Sequence, residues 1–134
     1  MRLEGGFTLM EVIMVILVIG ILASSVTGLV PDQVARASYT RSLASDIRRA
    51  QALAMSRGGG FRILSTSSNT YEIRDATGAA VTGTKVTLTD MVVSSFNILF
   101  DRFGTPTSGA ATVTLTDAFG SNTVSVSLNT GAVS

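Results

Sequence analysis

The sequence contains no cysteine, histidine or tryptophan among its 134 residues. Without cysteine there are no disulfide bonds, thiolate nucleophiles or cysteine metal sites, and without histidine the commonest general base and transition-metal ligand are missing. We therefore expect no enzyme activity, no catalytic residue, no metal centre and no cofactor. Aromatic residues make up only 6% of the chain, which leaves few stacking platforms for single-stranded nucleic acid.

Charged residues are also scarce, at 14% of the chain, against roughly 25% in an average globular protein. Ten basic and nine acidic residues nearly cancel, to a formal net charge of +1, so no strong overall field attracts nucleic acid or anionic membranes. Hydrophobic residues reach 46%. The length suits one small domain with one appended element, and the apolar residues must be concentrated somewhere along it.

The apolar residues are concentrated near the N-terminus. Residues 12–30 carry no charge, and from residue 7 onward the stretch is interrupted by Glu11 alone. As a helix, ~24 residues span about 36 Å, enough to cross a hydrocarbon core of ~30 Å. The sequence therefore predicts a transmembrane segment at about residues 7–30. A buried helix of a soluble domain is the alternative, whereas a secretory signal cleaved after its apolar part is shorter than this run.

The residues around the start of this run suggest processing. The segment 1–6 is short and polar and ends in Gly5-Gly6, which indicates proteolytic cleavage before the apolar segment. Gly6 has no Cβ and lets a protease approach the backbone closely. A carboxylate within a membrane segment costs about 2.5–3.5 kcal/mol. We therefore expect Glu11 to have a cationic partner, unless its carboxylate simply reaches the aqueous interface.

The heptapeptide Gly6-Phe7-Thr8-Leu9-Met10-Glu11-Val12 resembles the processing motif of class III signal sequences, those of type IV pilins and type II secretion pseudopilins. The resemblance implies that a prepilin peptidase cleaves after Gly6 and N-methylates the new terminus at Phe7. The new α-amino group lies one helical turn from Glu11, and the two could pair within one subunit or between neighbours. The resemblance favours the pair between subunits.

The same resemblance implies a location and a set of partners. The chain would span the bacterial inner membrane once, with a cytoplasmic N-terminus and a periplasmic C-terminal domain, and then enter a filament. Its partners would be other pilin or pseudopilin subunits, the prepilin peptidase, the inner-membrane assembly platform and, before assembly, membrane lipid. The type II secretion system, the type IV pilus and the competence pilus share the motif, so the choice among them stays open.

The remainder of the chain predicts an α+β fold. A long N-terminal helix over residues 7–57 has a membrane-spanning first half and an amphipathic second half, with a kink at Pro31. The amphipathic stripe consists of Val34, Ala35, Tyr39, Leu43, Ile47, Ala50 and Ala54. Three glycines at 58–60 end the helix. Short segments rich in Thr, Ser, Val and Ile then predict an antiparallel β-sheet or sandwich over residues 61–134. The chain therefore divides into a cleaved leader (1–6), the N-terminal helix (7–57) and a periplasmic β domain (61–134).

Two further features refine the function. The C-terminal part resembles the GspH/FimT group of minor pilins and pseudopilins in the order of its segments, which is Ile98–Gly104, two strands and then Asn129–Val133. This resemblance implies a role in initiation or at the filament tip. The alternative is a DNA-binding minor pilin of a competence pilus, in which basic side chains contact phosphates. The candidate DNA or anion contacts are Arg48, Arg49, Arg57, Arg62 and Arg74. Asp75, Asp90, Asp101 and Asp117 lie at predicted strand ends, which suits turn hydrogen bonding, and calcium bound between these loops is the alternative.

Overall fold

The computed structural model describes Gly6 and residues 8–26, 31–109 and 112–134. It divides into two compact units, Met1–Val34 and Ala35–Ser134. Over the described residues the chain forms two helices, α1 (Leu9–Val26) and α2 (Pro31–Arg57). The strands are β1 (Phe61–Ser67), β2 (Thr70–Arg74), β3 (Val86–Thr87), β4 (Val92–Val93), β5 (Asn97–Phe100), β6 (Pro106–Ser108), β7 (Thr112–Asp117) and β8 (Gly120–Ser125). The predicted α+β class, with antiparallel sheets, is confirmed.

Helix α1 is capped by the residue that precedes it. The backbone N–H groups of Glu11 and Val12 donate to the Thr8 carbonyl at 2.9 and 3.2 Å, which begins the hydrogen bonding of the helix. Within the described residues, no helix combines the length and the hydropathy that crossing a membrane requires. The predicted transmembrane segment at about 7–30 includes residues 7 and 27–30, which lie outside the described part of the chain.

Helix α2 buries one side against the sheets of the second unit. Leu43, Ile47, Ala50 and Ala54 are fully buried, as the amphipathic stripe predicted. Val34 belongs to the same predicted stripe but is 60% exposed. The helix ends where Gly59 donates its backbone N–H to the Ala54 carbonyl at 2.7 Å, and the left-handed φ of +94° at Gly59 fits glycine.

Among the described residues, all strand pairs are antiparallel, and the strands form two sheets. The five-stranded sheet has the order β3-β2-β1-β5-β6, and the three-stranded sheet has the order β4-β7-β8. Residues 92–100 alternate like a single strand but contain both β4 and β5, which belong to different sheets, and Pro106 begins β6 after the turn at 102–104.

Serine hydroxyls stabilise the point where the chain passes from one sheet to the other. Ser94 Oγ accepts a hydrogen bond from the backbone N–H of Thr114 at 3.0 Å. Two residues later, the backbone N–H of Phe96 donates to Ser65 Oγ at 3.0 Å. These bonds satisfy backbone groups that a regular strand ladder would otherwise pair.

One hydrophobic core joins α2 to both sheets. It includes Ile63 and Ile73 of the five-stranded sheet and Val113 and Leu115 of the three-stranded sheet, all at 0% exposure. Tyr71 is also fully buried, and its hydroxyl donates to Asp46 Oδ2 on α2 at 2.9 Å. The second unit therefore holds its elements together with its own core.

Candidate functional site

The predicted cleavage site begins at a residue with free space around it. Gly6 is exposed, and a Cβ built on it would meet no heavy atom within 4 Å. A side chain at this position is therefore compatible with the chain itself, and any requirement for glycine has to come from an enzyme that acts on the bond. Phe7, the predicted site of N-methylation, lies outside the described residues.

Glu11 occupies the first turn of α1 and is exposed. Its backbone N–H also lies 3.3 Å from Thr8 Oγ1. A negative charge at this end of a helix interacts favourably with the helix dipole. Glu11 shares a shallow groove along the helix with Met14, Val15, Val18 and Ile19. Its carboxylate is thus the one charged group on an otherwise apolar helix, whose sequence is LMEVIMVILVIGILASSV.

Three of the five candidate arginines lie on α2. Arg48 Nη2 donates to the Val133 carbonyl at 3.0 Å and so contacts the C-terminal segment. The guanidinium carbon of Arg57 lies 6.0 Å from the centroid of the Phe61 ring, within the range of a cation–π contact. Arg49 is exposed. Arg48 and Arg57 therefore already contact groups of this chain.

The other two candidate arginines lie side by side on adjacent strands of the five-stranded sheet. Arg62 of β1 and Arg74 of β2 are register partners. Arg74 Nε lies 2.7 Å from Glu72 Oε1, and Glu72 itself is only 7% exposed. The Nε atom of Arg62 is buried and has no hydrogen-bond partner among the described residues. The structure thus brings two of the five arginines together and places a carboxylate beside them that sequence reasoning did not include.

Turn hydrogen bonding was predicted for four aspartates at strand ends, and the structure shows it for Asp75, Asp101 and Asp117. Asp101 Oδ1 and Asp117 Oδ1 each accept the backbone N–H two residues later, at 2.8 Å. Asp75 Oδ1 accepts from the Thr77 hydroxyl at 2.7 Å and from the Thr77 N–H at 2.9 Å, which lowers the pKa of the Asp75 carboxyl. Over the part of the chain that the structure describes, no three acidic side chains gather as a metal site.

Asp117 has a second role that sequence reasoning missed. Arg36 Nε and Nη2 donate to its two carboxylate oxygens, both at 2.7 Å, in a bidentate ion pair. The side chains are 12% and 8% exposed. The Arg36 hydrogen bond is the main cause that lowers the pKa of the Asp117 carboxyl, and the backbone N–H of Phe119 adds to it. No short-range pattern could indicate a pair separated by 81 positions.

Residues 1–27 match a known family, described as the prokaryotic N-terminal methylation motif. This match supports a type IV pilin-like protein. The motif implies processing by a prepilin peptidase and assembly with other pilin subunits, and it suggests a membrane-anchored pilin. No curated protein and no solved structure matches the chain.

The matched segment includes Gly6, Phe7 and Glu11, the positions that the sequence singled out for processing and assembly. It covers 27 of the 134 residues and excludes the whole second unit. The resemblance to the GspH/FimT group and the five arginines lie beyond it. These finer assignments stay predictions.

Proposed function

We propose that this chain is a minor pilin or pseudopilin, cleaved between Gly6 and Phe7, N-methylated at Phe7 and incorporated into a type IV pilus or type II secretion pseudopilus. Within the filament it acts in initiation or at the tip. The observation that carries the proposal is that the matched segment contains a helix, α1, that exposes apolar side chains on every side and carries a single carboxylate, Glu11, in its first turn.

The exposed apolar side chains of α1 need a cover. Twelve large hydrophobic residues of this helix are 44–81% exposed: Leu9, Met10, Val12, Ile13, Met14, Val15, Ile16, Leu17, Val18, Ile19, Ile21 and Leu22. A helix that is hydrophobic all round is stable only when other apolar groups surround it. In the proposed function, inner-membrane lipid covers it before assembly, with the N-terminus cytoplasmic and the second unit periplasmic. Helices of other subunits replace the lipid in the filament, where Gly20 allows close approach.

Glu11 supplies the specificity of assembly in this proposal. An unpaired carboxylate in apolar surroundings costs about 2.5–3.5 kcal/mol. Pairing with the methylated α-amino group of Phe7 on a neighbouring subunit removes much of that cost. Lipid offers no such fixed cation at this depth. The pair therefore favours the filament over the membrane and sets the axial position of one subunit against the next.

Processing is tested with Gly6→Val in the native host, followed by intact-mass and N-terminal analysis. We expect the variant to keep its leader, whereas the wild type begins at methylated Phe7. Because a Cβ at Gly6 meets nothing within 4 Å, the substitution leaves the fold unchanged. Gly20→Ala is the matched control, since Gly20 is equally open. A mature-length Gly6→Val product, or a wild type that retains residues 1–6, contradicts the proposed processing.

Assembly is tested with Glu11→Ala. We expect normal membrane insertion and cleavage but filament incorporation reduced by roughly tenfold or more, since a hydrogen bond to a charged group contributes about 1.5–3 kcal/mol. Glu11→Asp keeps the charge on a shorter side chain and should recover part of the loss. The measurement is the amount of the subunit in sheared filaments relative to the membrane fraction. Normal incorporation of Glu11→Ala would exclude this role.

A further inference from the structure

Two turns of the second unit each present an exposed phenylalanine. Both have the sequence Asp-x-Phe-Gly, at residues 101–104 and 117–120. In each turn the aspartate Oδ1 accepts the phenylalanine N–H at 2.8 Å, which fixes the backbone at the tip. Phe103 is 71% exposed and Phe119 is 72% exposed. Turns are built mostly from Gly, Pro, Asn, Asp and Ser. The turn geometry therefore does not itself require a phenylalanine at either tip.

The Phe119 turn lies at the end of the second unit where the chain enters it. The unit begins at Ala35. The next residue, Arg36, donates from Nε and Nη2 to the two carboxylate oxygens of Asp117, both at 2.7 Å. A Cβ built on Gly120, on the other side of the turn, would lie 3.0 Å from Arg36 Nη1. Both ends of the turn are thus held by the second residue of the unit.

The β7–β8 hairpin runs along α2 towards that same end. Asn122 Nδ2 donates to Thr40 Oγ1 at 3.4 Å. Two residues nearer the tip, Gly120 lies beside the Arg36 guanidinium. The step from Thr40 to Arg36 covers about 6 Å towards the N-terminus of α2. The step from Asn122 to Gly120 covers about 7 Å along the strand. The tip with Phe119 therefore extends past Arg36 in the direction of the tether to α1.

The Phe103 turn lies at the opposite end of α2. A Cβ built on Gly104 would lie 3.0 Å from Met55 Sδ, in the last turns of the helix. The backbone of Arg102 lies against Gly59, beyond the helix end. The guanidinium carbon of Arg102 is 4.9 Å from the centroid of the Phe103 ring. This second turn therefore combines equal exposure with a different position and a cation beside its ring.

The Phe119 turn has little charge to desolvate. The charge of Asp117 is balanced by Arg36, and the sequence from Ala118 to Ser125 has no charged residue. Among the described residues, the Phe119 ring has no aromatic or cation–π contact. Aromatic and other apolar side chains insert readily at the membrane–water interface, whereas charges resist desolvation there. We propose that the β7–β8 turn rests on the lipid surface, with the Phe119 ring inserted at the interface.

This contact rests on the proposed function, because it takes α1 as the membrane anchor. It adds a second point of attachment before assembly, at the end of the second unit nearest to that anchor in the chain. With attachment at both Ala35 and Phe119, the second unit is restrained against rotation on the membrane surface. Entry into the filament then has to remove the Phe119 ring from lipid as well as α1.

The test uses tryptophan fluorescence, since the chain contains no tryptophan. The full chain is reconstituted in vesicles of phosphatidylethanolamine and phosphatidylglycerol, with and without bromine on the acyl chains near the headgroup. Bromine quenches a tryptophan that touches lipid. Phe119→Trp reports on the proposed contact. Phe103→Trp is the matched control, because its position is equally exposed in the same kind of turn at the other end of α2. Leu17→Trp reports on the insertion of α1.

We expect bromine to quench Phe119→Trp several-fold more than Phe103→Trp, with strong quenching of Leu17→Trp and unchanged circular dichroism for all three variants. Quenched Leu17→Trp with equal signals from Phe119→Trp and Phe103→Trp overturns the proposal and leaves the proposed function standing. A blue-shifted but unquenched Phe119→Trp shows that protein covers the ring, and this also overturns the proposal. Unquenched Leu17→Trp contradicts the membrane anchor itself, and with it both proposals.

Discussion

Removal of the Tyr71 hydroxyl tests whether its bond to Asp46 ties α2 to the five-stranded sheet. Tyr71 is 0% exposed, and its hydroxyl lies 2.9 Å from Asp46 Oδ2. Tyr71→Phe keeps the ring and deletes this single donor. A hydrogen bond to a charged group contributes about 1.5–3 kcal/mol, and the partial exposure of Asp46 favours the lower end. We therefore expect a loss of about 1.5–2 kcal/mol in the free energy of unfolding.

The expected shift in melting temperature follows from the size of the unit. For a domain of about 100 residues, each kcal/mol shifts Tm by ~4–8 °C, so Tyr71→Phe should lower Tm by about 6–16 °C. The assay is thermal and urea unfolding of the full chain in detergent, followed by the circular dichroism of the β-sheets. Asp46→Ala and the double variant complete the cycle, with an expected coupling of roughly 1–2 kcal/mol. Additive effects, or a Tyr71→Phe loss below about 0.5 kcal/mol, would refute the reasoning.

The same pair makes a prediction at alkaline pH. Burial raises the pKa of the Tyr71 hydroxyl, and the negative charge of Asp46 raises it further. An unfolded tyrosine loses its proton near pH ~10. The folded state keeps its proton to higher pH, so the stabilisation is complete below about pH 10 and declines as the pH rises above it. The stability difference between wild type and Tyr71→Phe should therefore narrow above that pH, and a constant difference would contradict this.

Three further predictions follow from other contacts. Ile47→Ala should lower the free energy of unfolding by about 2–5 kcal/mol, because Ile47 is fully buried, whereas Ile47→Val should lower it by about 0.5–1.5 kcal/mol. Both values are measured by urea titration. Asp117→Asn should lower the free energy of unfolding at neutral pH. Below about pH 4, the stability of the variant should fall less steeply than that of the wild type. The reason is that the pKa of the Asp117 carboxyl is lowered in the folded state, so the wild type loses this contribution as the pH falls. In a DNA titration of the full chain we expect no binding; binding that weakens as salt rises and falls further in Arg48→Ala/Arg49→Ala would favour the DNA-binding alternative, because contacts to phosphates are salt-dependent.

The helical half of the structure was predictable because its signals are local. The burial of Leu43, Ile47, Ala50 and Ala54 follows from their spacing of three and four residues. The glycines after Arg57 marked the helix end, which needs a left-handed conformation that glycine adopts easily. Aspartates before glycine-containing turns indicated the Asx bonds at Asp75, Asp101 and Asp117 for the same reason.

The β half was less predictable because its organisation depends on distant partners. Residues 92–100 alternate like one strand, and only the serine-mediated crossing at 94–96 shows that they serve two sheets. Period-2 alternation reports which side is buried and says nothing about which sheet a residue joins. The Arg36–Asp117 pair likewise joins positions far apart in sequence. Of the candidate sites, the sequence located the processing motif. It did not indicate the ion pair between Arg74 and Glu72, because that pair depends on both side chains lying on the same face of β2.

The crossing at 94–96 also determines how the second unit opens. The chain passes from β4 to β5 within a few residues, and the bonds at Ser94 and Ser65 lie on either side of that passage. Each bond attaches one end of the crossing to a sheet, Ser94 to β7 and Phe96 to β1, and separating the two sheets would expose the core that they share. The two sheets should therefore form one cooperative unit in hydrogen exchange, with the slowest amides of β1 and β7 released by the same opening event.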